Sequence, residues 1–272
     1  MKTILTFAWS ADDVTAFDVA ADLGRIFSSH VTGLGPPSFR ASSVAWAEVG
    51  IGAPFVLPPS DDEDEKRRSE ALQAAFRDRM MAAGIGANSA WREQPTSVPF
   101  AIGMSGRTAD LIVVPQPGAL PKMPESAFED ALFESGRPVL VSPQGQRGNI
   151  GKRIVIAWNA STESARTTAL SMPFLRRAEA IEVISVEGAM VEGPSGTELA
   201  EALRRHGLPV TARHHLPGTK AAGQALADEA VAWGADLIVK GAYTQSRLRQ
   251  LIFGGVTRHL ILASPIPVLF SH

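Results

Sequence analysis

The chain has 272 residues, of which 45% are hydrophobic and 20% charged, and its 26 Lys and Arg face 28 Asp and Glu. A composition this apolar offsets the entropy of ordering, which excludes intrinsic disorder. A net charge of −2 supplies no whole-molecule field for nucleic acid or an acidic membrane surface, and the absence of cysteine removes disulfides, thiolate zinc sites, iron–sulfur clusters and cysteine nucleophiles together.

The segment Met1 to Ser10 meets the acidic pair Asp12 and Asp13 before any signal-peptide core develops. No run reaches the ~18 apolar residues of a membrane helix, so the expectation is a cytoplasmic protein without a membrane partner. Apolar runs at 2–7, 30–34, 88–93, 111–114 and 138–142 read as strands. After the second run comes Gly35 to Ser60, rich in Pro, Gly and Ser but carrying Phe39, Trp46, Phe55 and Val56. A long unpatterned insertion of this kind is usually functional, which keeps open a scaffold that binds a protein or a hydrophobic small molecule there. A helix is predicted from about Asp61 to Ala83, its opening acids set on the positive end of the dipole and its basic residues a turn later.

Residues 144–151, polar and with three glycines, read as a linker. Beyond it, apolar runs at 153–158, 181–186, 209–213, 236–240 and 267–270 alternate with helical patterns at Thr162 to Ala178, Gly196 to His206, Ala221 to Trp233 and Gly255 to Leu262. Continuous apolar runs mean strands buried on both faces, and strand–helix alternation means right-handed crossovers in a parallel sheet.

The length fits one large domain or two of about 135 residues, and internal repetition decides between them. Thr3 to Ser10 resembles Arg153 to Asn159 and places Trp9 opposite Trp158, Ala109 to Val113 recurs as Ala235 to Val239, and Arg137 to Ser142 recurs as Ile266 to Ser271. Three collinear matches predict two tandem, doubly wound α/β domains, each with a five-stranded parallel sheet, at 1–143 and 152–272. Trp9 and Trp158, at matched positions, are expected in core or interdomain packing.

Open parallel sheets bind ligands beyond the carboxyl ends of their strands, where strand order reverses. In the second half this selects Asn159 after the first strand, Lys240 and Gly241 after the fourth, and Gly254, Gly255, Val256 and Thr257 where the last helix begins. Glycines let backbone N–H groups approach a ligand and a helix N-terminus favours an anion; equally, the glycines could serve only the turns, and Thr257 could serve as a cap.

The order of elements, the Ala-Asp-Leu-Ile-Val strand, the stretch Gly241 to Thr257 and the tail Ser264 to Leu269 resemble the universal stress protein family, over the whole chain as a tandem pair. The resemblance implies an adenine nucleotide alpha hydrolase-like fold, the halves packed as a pseudo-twofold pair through 138–142 and 267–270, with a homodimer left open. It implies a non-catalytic stress-response protein binding ATP or another adenine nucleotide. The family signature, G-x2-G-x9-G followed by Ser or Thr, is partly kept: Gly241 and Gly254 stand at the required spacing, Thr244 replaces the middle glycine and Gly255 the final hydroxyl residue. Asn159 replaces an acidic residue and cannot hold a divalent metal as a carboxylate would. Val186 is either a wall of the adenine pocket or a core valine. Lys240 either lays its stem on a base or is a surface lysine at a strand end.

The first half is a poorer phosphate site. Val114-Pro115-Gln116-Pro117 replaces the first glycine loop, and prolines lack N–H donors. Glu125 falls opposite Gly254 and Glu129 opposite Arg258, so a carboxylate would occupy the anion position. Charge agrees: residues 1–150 carry 13 basic and 18 acidic side chains, residues 151–272 carry 13 and 10. Arg247, Arg249 and Arg258 surround the glycine stretch and could reach phosphates.

Chemistry is otherwise sparse. Adjacent strand residues point to opposite faces, so His214 and His215 cannot chelate one metal together. No Gly-x-Ser-x-Gly elbow, Walker A loop or Gly-x-Gly-x-x-Gly fingerprint is present. Weak ATP hydrolysis is the remaining enzymatic alternative, and no metal is required.

Overall fold

The computed structural model describes residues 1–36, 62–94, 101–118, 125–146, 148, 150–216, 218–242 and 255–272. Most of the insertion at 35–60, together with Thr244, Arg247, Arg249 and Gly254, therefore lies outside the described residues.

In the first half the strands are β1 Thr3–Thr6, β2 His30–Leu34, β3 Ser89–Arg92, β4 Leu111–Pro115 and β5 Val139–Ser142. They alternate with α1 Thr15–Phe27, α2 Asp62–Ala82, α3 Ala101–Gly106 and α4 Glu125–Glu134. The second half has β6 Arg153–Ala157, β7 Ala180–Val186, β8 Val210–His215, β9 Leu237–Gly241 and β10 Val268–Ser271. Its helices are α5 Thr162–Leu170, α6 Met172–Leu175, α7 Gly196–Arg205, α8 Ala222–Trp233 and α9 Val256–Ala263.

All ten strands form one sheet, in the order β3-β2-β1-β4-β5-β10-β9-β6-β7-β8. Each half repeats the same doubly wound order, and the pairs inside each half are parallel. The halves meet at β5 and β10, which pair antiparallel with Val268 opposite Val141 and Phe270 opposite Val139. This is the pseudo-twofold pairing through the last strands. Phe128 and Phe270 meet edge-on across it at 5.9 Å, as do Phe27 and Phe174 at 5.2 Å.

Helices cover both faces, which is why inner strands such as β4, β5, β9 and β10 are buried throughout, while the edge strands β3 and β8 are half-exposed. One core joins α1, α2 and α7 to the sheet through Phe17, Phe76, Ile154, Val183 and Leu203. The other lies under α4, α8 and α9 and contains Phe128, Ile184, Leu226, Leu260 and Phe270.

The repeated aspartate has a structural cause. Asp110 accepts N–H bonds from Lys2 and Thr3, at 2.5 and 3.0 Å, and Asp236 accepts them from Gly151 and Lys152, at 2.8 and 3.0 Å. Each carboxylate thus pins the start of the first strand of its own half.

Two sequence readings are corrected. The ladders pair Ile4 with Leu111 and Ile154 with Leu237. Leu111 and Leu237 are the matched residues of the repeat, so Ile4 corresponds to Ile154 and Trp158 corresponds to Ala8, not to Trp9. Trp158 is buried in the first core and donates its indole N–H to Pro194 O at 2.8 Å. Trp9 lies on the other side, partly buried, with the Arg68 guanidinium 4.9 Å over its ring. The helix expected over 162–178 breaks at Ser171, whose hydroxyl bonds back to Thr168 O, and restarts with Pro173, which has no N–H to continue the ladder.

At the acidic opening of α2, Glu63 and Asp64 are exposed, with Arg67 pairing to Asp64 at 2.9 Å. Among the described residues no helix is long and apolar enough to cross a membrane. His214 lies near Glu187 and His215 near Glu229, and no group of three metal-binding side chains occurs among the described residues.

Candidate functional site

A cavity of about 680 Å³ opens beyond the carboxyl ends of β6, β7 and β9. This is the switch point of the second half, since β6 lies between β7 and β9. The strand register builds its floor: Ala157 stands between Ile184 of β7 and Lys240 of β9. The small alanine leaves room between its larger neighbours. Val186 continues the floor, Asn159 the rim, and the loop at 188–191 closes one side.

The walls are the first turns of α8 and α9. Gly223 brings them together, because a β-carbon there would stand 2.8 Å from His259 Cβ. Among the described residues neither helix has a side-chain cap: the N-cap residues are Ala221 and Gly255. Their first N–H groups therefore lack the usual side-chain acceptor and carry the positive end of each dipole toward the cavity.

Of the predicted site residues, Asn159, Val186, Lys240, Gly255, Val256 and Thr257 all line this cavity. Gly241 does not. It faces α5, where a β-carbon would stand 2.8 Å from Ser164 Cα, so the packing of helix on strand accounts for the glycine. Ala157, Ile184, Met190, Gly223, Leu226 and Leu262 also line the cavity. The sequence carried one usable signal for them, the small-residue start of the helix at Ala221-Ala222-Gly223 beside the switch point.

Asn159 is held within the loop that follows β6. Its Oδ1 accepts from the Ser161 hydroxyl at 2.9 Å, its carbonyl accepts from Val191 N–H at 3.0 Å, and Ser161 caps α5. Between them, Ala160 takes φ +66°, a left-handed conformation that costs an alanine roughly 1 kcal/mol. Strain of this kind persists where the surroundings over-determine it.

Lys240 is a correction. It is not a surface lysine at a strand end: it is 5% exposed, and its Nζ donates to Gly241 O at 2.9 Å. Burial pushes its ammonium down to about 8, against an opposing pull from Glu163. Among the described residues no carboxylate lies within ion-pairing distance of it.

Arg258, on the cavity wall, reaches across the pseudo-twofold axis to Glu125 at 3.3 Å. Glu125 thus faces the other half rather than an anion position of its own. In the first half, Arg68 donates to Trp9 O at 2.6 Å where the chain leaves β1, and Gln116 donates to Ser264 O at 3.1 Å. The loops there are engaged with α2 and with the second half.

Residues 155–272 match the model of the universal stress protein family. The second half belongs to that family. The crystal structure of a universal stress protein from Archaeoglobus fulgidus DSM 4304 aligns with 99% of this chain and 95% of its own, at 14% identity and a TM-score of 0.71. A functionally unknown protein from Pseudomonas aeruginosa PAO1 aligns with 100% of this chain and 92% of its own, at 15% identity and a TM-score of 0.55. These full-length likenesses show that the universal stress fold extends over both halves. No curated protein sequence matches the chain.

Proposed function

We propose that this chain is a stress-response protein whose second half binds a small anionic ligand, with an adenine nucleotide as the first class to test. The observation that carries this reading is the convergence of two helix N-termini without side-chain caps on a cavity whose floor holds a buried lysine. A phosphate satisfies the N–H groups of such helix ends, and the apolar floor of Ala157, Ile184 and Val186 suits a planar ring. The volume lies within the ~300–1,000 Å³ of small-molecule sites. The first half is proposed to keep the fold for its share of the sheet, with the domain boundary at 144–151 and no phosphate site.

Titration calorimetry with ATP, ADP, AMP and cyclic AMP, together with mass spectrometry of ligand released on denaturation, tests this. Heat of binding, or a co-purified nucleotide, is the expected result. No heat up to millimolar nucleotide, with nothing released, overturns it.

A further inference from the structure

Lys240 raises a separate question, because a buried ammonium asks for more than this site provides. It has three donors and a full charge, and a buried charge is costly unless it is paired. Here its Nζ bonds to one acceptor, Gly241 O, and among the described residues the carboxylate that pulls on it, Glu163, forms no ion pair with it. The adjoining stretch 243–254 contains two arginines and no acid. One N–H bond is what a neutral amine needs, and that bond leaves the nitrogen lone pair unused.

We propose that Lys240 is a carbonyl-trapping amine, and that the cavity takes a small phosphorylated aldehyde whose carbonyl carbon it attacks. The inference rests on the same open cavity as the ligand-binding reading, but not on the ligand's being a nucleotide. The amine lone pair adds to the carbonyl carbon while the C=O π pair moves to oxygen. A proton passes from nitrogen to oxygen to give the carbinolamine, and loss of water leaves the imine. Atoms and electrons balance without an oxidant, reductant or metal. Desolvation in an apolar pocket is one of the ways a lysine is made nucleophilic, and burial already holds this ammonium near 8. Ile184, Val186, Leu226 and Leu262 line the cavity and limit water. The starts of α8 and α9 would hold the phosphate.

The test uses the full chain and pyridoxal 5′-phosphate as the probe. After incubation near pH 7.5 and reduction with borohydride, peptide mass spectrometry locates the label. Indiscriminate reaction favours Lys66, Lys152 and Lys220, whose side chains are 76%, 47% and 59% exposed. At that pH a lysine titrating near 8 offers roughly a hundredfold more neutral amine than an ordinary one, and access through the cavity mouth reduces the gain. The expected result is labelling of Lys240 about tenfold faster than of those three lysines, lost in Lys240→Arg. Labelling of Lys240 at or below their rate overturns the proposal, whether or not the variant folds. ATP calorimetry on the same preparation separates the two readings: heat without Lys240 labelling overturns the amine and leaves nucleotide binding, and labelling without heat does the reverse.

Discussion

The α-carbon of Ser164 lies 2.8 Å from the position a β-carbon on Gly241 would take, so the first turn of α5 rests directly on the backbone of β9. The neighbours are backbone atoms of a capped helix, which cannot yield as a flexible side chain does. Gly241→Ala should therefore lower stability by about 1–3 kcal/mol, the usual cost of overpacking. Urea denaturation checks this; an unchanged midpoint would show that α5 shifts freely and that the glycine serves something other than packing.

Asp130 supplies a pH-dependent contribution. Its Oδ2 accepts N–H bonds from Ile102 and Gly103 at the start of α3, while Oδ1 is buried without a partner among the described residues. Burial, set against those two bonds, raises its carboxyl to about 6, above an ordinary value of 3.8. Between these values the folded state binds more protons than the unfolded state, so stability falls as pH rises from about 4 to 6 and then levels. Asp130→Asn keeps an acceptor for the two N–H groups and removes the titration. Melting temperature against pH should flatten across that window in the variant, and an unchanged slope would assign the dependence to other groups.

How much of this was legible in the sequence follows from how each residue signals its environment. Strands buried on both faces, such as β4 and β9, leave unbroken apolar runs, whereas the edge strands β3 and β8 are half-exposed and were placed by their position in the series. A run without alternation carries no information about which face a residue takes. That is why Trp9 could be set against Trp158 when the ladder sets Trp158 against Ala8. Asn159 and Gly255 to Thr257 were found from the switch-point rule, because strand order alone determines where that edge lies, whereas Val186 entered only through the family resemblance. Gly241 was legible as a required glycine, yet phosphate approach and helix packing demand the same residue, and the contact with Ser164 is long-range. Lys240 misled because lysine is almost never fully buried; nothing local in Ile-Val-Lys-Gly marks a strand end that α8 and α9 roof over.

That burial makes Lys240→Met informative. With its ammonium held near 8 and an ordinary value of 10.5, the folded state binds fewer protons than the unfolded state between these limits. Stability contributed by this site is thus lowest below about 8 and rises as pH climbs toward 10.5. Methionine fills similar volume without the charge, so the variant should be more stable at pH 7, by roughly 2–3 kcal/mol, and should lose the alkaline rise. Chemical denaturation at pH 7 and pH 10 reads both. A variant less stable than the parent at pH 7 would mean that the ammonium is compensated, and the cavity floor would then be a paired site rather than a desolvated one.

Arg258 separates stability from binding at the same cavity. Its pair with Glu125 is exposed on both sides, 56% and 52%, and at 3.3 Å in solvent such a pair contributes about 0–1 kcal/mol. Removing the guanidinium should therefore leave the fold nearly untouched. Yet Arg258 lines the cavity beside the N-terminus of α9, where an anionic ligand would draw on its charge. Arg258→Ala is expected to change the denaturation midpoint little and to weaken nucleotide binding about tenfold, the more so at low ionic strength, where the interaction is least screened. Glu125→Gln removes the competing carboxylate instead and should tighten binding by a smaller factor. Calorimetry of both variants at two salt concentrations checks the pair: equal affinities for all three proteins would place the phosphate away from α9, leaving Arg258 only the cross-axis contact with Glu125.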